Sequence, residues 1–146
     1  MEVTSILKFL AVVLLCVGLV LPMTQAQART RPARACRFDN RQAGTWTTDE
    51  VRWTVRCLAD WMNVSVDHAL YVADRESHFH RFAWNHSSDC RGIYQHMYRY
   101  WWSRVHTHAD LLRKFAVRNR NWYSPRAQAV VTFAMVKKGG WGPWEG

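Results

Sequence analysis

The chain has few cysteines, one apolar run of any length, and few glutamates, and each shortage narrows what it can be. Beyond Cys16 it carries only Cys36, Cys57 and Cys90. None of these has the short paired spacing that structural zinc usually shows, which argues against such a site. The apolar run from Phe9 to Leu21 is too short for a comfortable membrane span, and no second one follows. There is no internal repeat and no low-complexity segment. The glutamates are Glu2, Glu50, Glu76 and Glu145 alone.

A length of 146 residues implies one domain. Lys8, the apolar run, Pro22 and the small-residue pattern Ala26-Gln27-Ala28 form an export leader, with cleavage expected after Ala28. Residues 1–28 are thus read as a signal peptide and 29–46 as a basic arm carrying Arg29, Arg31, Arg34, Arg37 and Arg41. Residues 47–146 are read as the folded domain. The leader contributes one lysine and one glutamate, so the formal charge of +9 survives its removal. Such an arm suits anionic polymers of a wall or surface, or is a solvated tail. Export favours a disulfide. Three cysteines allow three single pairings; the preferred one is Cys57 with Cys90, leaving Cys36 over.

The domain reads as mainly α. Thr47 and Glu50 have capping-box spacing ahead of Val51, Val55, Leu58 and Met62. Ser65 caps a second helix through Arg75. A further helix is expected from about Ser103 or His108 through Phe115. Ser124 and Pro125 open the last one, which carries Ala127, Val130, Val131 and Ala134, basic Lys137 and Lys138 in its final turn, and a stop at Gly139-Gly140. Between Phe79 and Arg91 no helical period is present, which predicts a loop or a short hairpin.

With Glu50 assigned to a cap and Glu145 penultimate, Glu76 has no such plain role. It falls on one helix face with Ala69, Val72 and Ala73. A carboxyl extending an apolar stripe loses hydration, which favours the neutral acid able to donate a proton to a leaving group. The alternative is an ion pair with Arg75, Arg81 or Arg91. All nine tryptophans follow the leader. Trp53 and Trp61 are expected in packing, whereas Trp84, Trp101, Trp102, Trp122, Trp141 and Trp144 lie in or beside loops, where flat rings suit sugar faces. His78-x-His80 and His106-x-His108 lack a carboxylate or cysteine at matching spacing, so no metal and no cofactor are expected.

Four blocks carry a resemblance: Arg75-Glu76-Ser77 at a helix end, Trp84 through Cys90, Gly92-Ile93-Tyr94-Gln95-His96-Met97, and Gly139-Gly140-Trp141-Gly142-Pro143-Trp144. On these the chain resembles the lysozyme-like soluble lytic transglycosylases, and more closely the small exported transglycosylase-domain proteins of actinobacteria, from about Thr48 to Trp144. The resemblance implies a lysozyme-like helical domain with a substrate cleft and at most a small hairpin. It implies that Glu76 cleaves the β-1,4 bond between N-acetylmuramic acid and N-acetylglucosamine in peptidoglycan, first as acid and then as base for the sugar's own 6-hydroxyl, leaving a 1,6-anhydro end. One glutamate suffices for that route if the substrate's N-acetyl group shelters the oxocarbenium centre, whereas a two-carboxylate glycosidase needs a second acid that Asp74, Asp89 and Asp110 do not convincingly supply. Gln95 and Met97 match cleft residues, and Ser87 or Ser88 falls where a serine contacts the glycan. Met135 stands where the family usually has a tyrosine and cannot donate that hydrogen bond, which implies either a lowered activity or substitution by Tyr94, Tyr98 or Tyr123.

The expected partners are peptidoglycan strands and anionic wall polymers, with no stable membrane anchor and a secreted or wall-associated monomer. Nucleic acid, which charge and aromatics would permit, is set aside because a leader exports the protein away from it. The rivals are a hydrolytic lysozyme and a non-catalytic glycan-binding module on the same fold, for which Met135 argues.

Overall fold

A computed structural model describes Cys36 and residues 46–145. The expected leader and most of the basic arm lie outside the described residues. Helix α1 spans Thr48–Trp61, and the Thr47 hydroxyl and Glu50 carboxylate cap its start reciprocally, Thr47 N–H donating to Glu50 Oε2 at 2.8 Å. Helix α2 spans Val66–Ser77, with the Ser65 hydroxyl accepting from His68 N–H. It ends where His78 turns left-handed at φ 49°. Three two-residue strands follow, β1 Trp84–Asn85, β2 Cys90–Arg91 and β3 His96–Met97, in an antiparallel sheet with Cys90 opposite both Asn85 and Met97. Helices α3 Tyr98–Thr107, α4 Ala109–Lys114 and α5 Pro125–Gly139 complete the fold, with a 3-10 turn at Gly142–Trp144. Among the described residues no helix is long and apolar enough to cross a membrane.

The core is built around α5. Every residue from Pro125 to Ala134 is buried, so this helix is covered on all sides rather than along one stripe. It packs on α1, α3 and α4, while α1 also packs on α2 through Val51, Val55, Leu58, Ala69, Val72 and Ala73. A mainly α domain is therefore correct. Two boundaries differ from the sequence reading. Helix α3 begins at Tyr98, directly after β3, with no side-chain cap to announce it. The hairpin gains a third strand, because Gly92 reverses the chain at φ 79° and returns it as β3.

The preferred Cys57–Cys90 bridge is overturned. Cys57 on α1 is bonded to Cys36, with the Cα atoms 5.7 Å apart, and Cys90 is a free thiol in the middle strand. Cys57 can join only one partner, and the segment ahead of α1 brings Cys36 within ordinary disulfide reach. The basic arm is thereby anchored at Cys36, which is fully buried.

Of the tryptophans expected in packing, Trp61 lies against the core but Trp53 is largely exposed. Trp101 and Trp144, read as loop aromatics, are buried, and each spends its indole N–H on a backbone carbonyl, Arg120 O and Tyr94 O respectively.

Candidate active site

Glu76 is the penultimate residue of α2. Ala69, Val72 and Ala73, on the same face, are wholly buried, and the Glu76 side chain at the end of that stripe retains 24 % of its exposure. Arg75 Nη2 donates to Glu76 Oε1 at 2.9 Å and also to the Trp144 carbonyl. The hydrogen bond to Glu76 is the largest influence raising the Arg75 guanidinium above its ordinary range. Of the three arginines proposed as partners, Arg75 therefore takes the contact. Arg81 is buried over the Phe82 ring, and desolvation pulls it below its usual value. Arg91 is held by Asp89, with Nη2 2.8 Å from Oδ1.

The helix end is fastened to the Gly92–Met97 block. Ser77 Oγ lies 3.0 Å from the Ile93 carbonyl and 3.0 Å from the Ala73 carbonyl of its own helix, so its one proton is shared between the helix and the link from the residue after Glu76. Gly92 N–H donates to Ala83 O at 2.8 Å, and Gln95 Nε2 donates to Gly92 O at 2.9 Å. The turn admits only glycine: besides φ 79°, a Cβ at position 92 would lie 2.1 Å from Gln128 Nε2 and 2.7 Å from Trp122 O. Gln95 sits at φ 48°, half-buried, with Met97 half-buried on β3. Ser87 and Ser88 are exposed on the β1–β2 turn, their N–H groups donating to Asn85 Oδ1. The structure thus brings the end of α2, the Gln95–Met97 segment and the hairpin that carries both serines onto one connected frame.

Two candidates sit elsewhere. Tyr94 is fully buried, its hydroxyl donating to Ala69 O at 3.0 Å, and burial pushes its phenol well above the usual value. It braces the site from behind and offers no surface to a ligand. Met135 lines a cavity of about 470 Å³ whose walls do not include Glu76. Of the other tyrosines, Tyr98 lies beneath Arg91, whose guanidinium is 3.8 Å from its ring centroid, and the Tyr123 hydroxyl accepts from Asn121 Nδ2 at 2.8 Å.

The sequence reading missed three polar assemblies. Gln128, fully buried on α5, accepts from Tyr94 N–H at 2.9 Å and donates to Arg91 O and Trp122 O at 2.8 and 2.7 Å, clamping the Gly92 turn. His96, also buried, accepts at Nδ1 from Arg104 Nη1 at 2.6 Å and donates from Nε2 to Thr132 Oγ1 at 2.8 Å. An arginine can only donate, so the ring is neutral with its proton on Nε2. Burial first, then Arg104 and His108, lower its pKa to about 3. On the hairpin, Asp89 Oδ1 accepts from Trp84 Nε1 and Arg91 Nε, at 3.0 and 2.9 Å, fixing a half-exposed Trp84 with Arg91 and His86 against its ring. The signal for the first two was present as Gln128 and Thr132, uncharged polar residues one turn apart in the buried stretch of α5.

A carboxyl group at a helix end, partly open to solvent and bonded to Arg75, has the chemistry either for proton transfer or for a structural ion pair. Compared with known proteins, the chain matches no family model, no curated protein and no solved structure.

Proposed function

We propose that this protein is an exported peptidoglycan lytic transglycosylase on a lysozyme-like helical frame, with Glu76 as its general acid and base. The observation that supports this reading is the fastening of the Glu76 helix end to the Gly92–Met97 turn by Ser77 Oγ and Ile93 O. That bond ties the helix end bearing a partly exposed carboxyl to the turn between β2 and β3 of a small sheet, whose other turn carries Ser87 and Ser88. Glu76 protonates the glycosidic oxygen as the bond to C1 breaks. The carboxylate then takes the proton of the 6-hydroxyl while its oxygen attacks C1, which regenerates the acid and leaves a 1,6-anhydro end. Gln95 and Met97 stand beside the path of the strand.

A second reading, a glycan-binding module without catalysis, is favoured by the Arg75 contact, since a carboxylate committed to a guanidinium serves structure as readily as chemistry. Mass spectrometry of muropeptides released from purified peptidoglycan separates the cases. Anhydro ends support the transglycosylase, reducing ends indicate a hydrolytic lysozyme, and binding without release indicates the module.

A further inference from the structure

The cavity that Met135 lines takes its other walls from the ends of α3 and α5 and from Pro143, and its lining is mostly apolar with basic side chains set into it. Arg104 and Lys138 face it together with His108, Ser103 and Thr107, and among the described residues no carboxylate lines it. Basic residues in the last turn of a helix ordinarily complement its free carbonyls, and both Arg104 and Lys138 occupy such turns. That accounts for their place in the sequence. It does not account for Arg104 being half-buried with a neutral ring as its anchor: Nη1 is held at 2.6 Å by His96 Nδ1, which supplies no negative charge. Desolvation accordingly lowers the Arg104 pKa, and His108 is lowered first by burial and then by Lys138.

A half-buried guanidinium fixed from behind, sharing a cavity with an ammonium and with no acid among the described lining residues, is a site whose charge balance is completed from outside. We infer that this cavity binds the phosphoryl group of a small organic phosphate, such as a sugar phosphate. Two permanent cations match the charge of a phosphomonoester, about −1.5 to −2 near neutral pH, better than the single charge of a carboxylate. Arg104 keeps N–H groups beyond the one held by His96 for a ligand, and Lys138 adds a movable charge. The volume of about 470 Å³ exceeds what one phosphate fills, and Met135 offers an apolar wall to the rest of the molecule. The inference does not rest on the glycan-cleavage reading, because Glu76 is not part of this cavity.

The test is calorimetric titration of the full-length protein with glucose 6-phosphate, glucose and glucuronate, with amide shifts mapped by NMR. Glucose 6-phosphate should saturate, moving amides of Ser103–His108 and Met135–Gly140, whereas glucose should not bind and glucuronate should bind more weakly. Lys138→Ala, at an exposed position, should leave the fold intact and weaken binding about tenfold, the loss expected for one charge-assisted hydrogen bond, with Lys138→Arg restoring most of it. Absence of saturable binding, equal binding of glucose, or unchanged affinity in Lys138→Ala overturns the site. Glucuronate binding as tightly as glucose 6-phosphate overturns its assignment to phosphate.

Discussion

One nitrogen of Arg75 joins Glu76 to the far end of the domain: Nη2 donates to Glu76 Oε1 at 2.9 Å and to the carbonyl of Trp144. Trp144 in turn donates its indole N–H to Tyr94 O at 2.9 Å, inside the turn that Ser77 holds. The proposed acid, the glycine turn and the last helical turn therefore form one closed circuit. Its geometry depends on residues almost seventy positions apart.

Replacing Glu76 by Gln keeps the shape of the side chain and its contact with Arg75 while removing the transferable proton. Cleavage of purified peptidoglycan should fall by about a hundredfold or more. Thermal unfolding and sedimentation with insoluble glycan should change little. Retention of most of the activity would remove Glu76 from the mechanism.

The Cys36–Cys57 bridge closes a loop with a sequence separation of 21, so its loss should cost about 3 kcal/mol. Non-reducing peptide mapping should recover Cys36 joined to Cys57 and Cys90 alkylated. A Cys36→Ser variant should unfold at lower urea than the parent, with the difference erased when both are reduced. A midpoint that does not move would mean the bridge constrains nothing.

Gln128 satisfies one donor and two acceptors of the chain around Gly92. A Gln128→Leu variant fills the same space but leaves Tyr94 N–H, Arg91 O and Trp122 O without that partner. At about 1–3 kcal/mol for each unsatisfied buried group, a loss of a few kcal/mol in urea unfolding is expected. Gly92→Ala should be comparably severe, since its methyl would meet the same amide. If both variants match the parent in stability, the turn is not clamped as described.

The elements that could be read from the sequence were those announced by local chemistry. Thr47 with Glu50, Ser65, and Ser124 with Pro125 each bind the backbone within three residues, so their helices are visible without tertiary knowledge. Helix α3 lacks such a signal, and an aromatic run from Tyr98 to Trp102 conceals its start. β3 is two residues long and exists only because Gly92 folds it against β2. Disulfide connectivity depends on which segment passes over α1, which spacing along the chain does not encode. At the candidate site, Glu76 stood out by elimination among few glutamates. Tyr94 was misplaced because an aromatic beside a glycine looks the same in sequence whether it faces a ligand or the core. Gln128 and His96 each owe part of their role to a partner more than thirty residues away, Tyr94 and Thr132 respectively.

The His96 contact sets a pH limit on the fold. In the unfolded chain the ring takes a proton near pH 6.5, while in the folded protein it stays neutral down to about pH 3. Between those values the unfolded state binds more protons, so stability rises with pH. It is fully present above about 6.5 and is lost as pH falls toward 3, by up to about 1.4 kcal/mol per pH unit. His108, also lowered, acts in the same direction. Urea unfolding between about pH 7.5 and pH 4.5 should show this slope on the acid side. His96→Gln retains a donor and an acceptor without titrating, so it should cost stability at neutral pH yet flatten the acid dependence. An equally steep acid slope in that variant would assign the effect to other groups and remove His96 as its source.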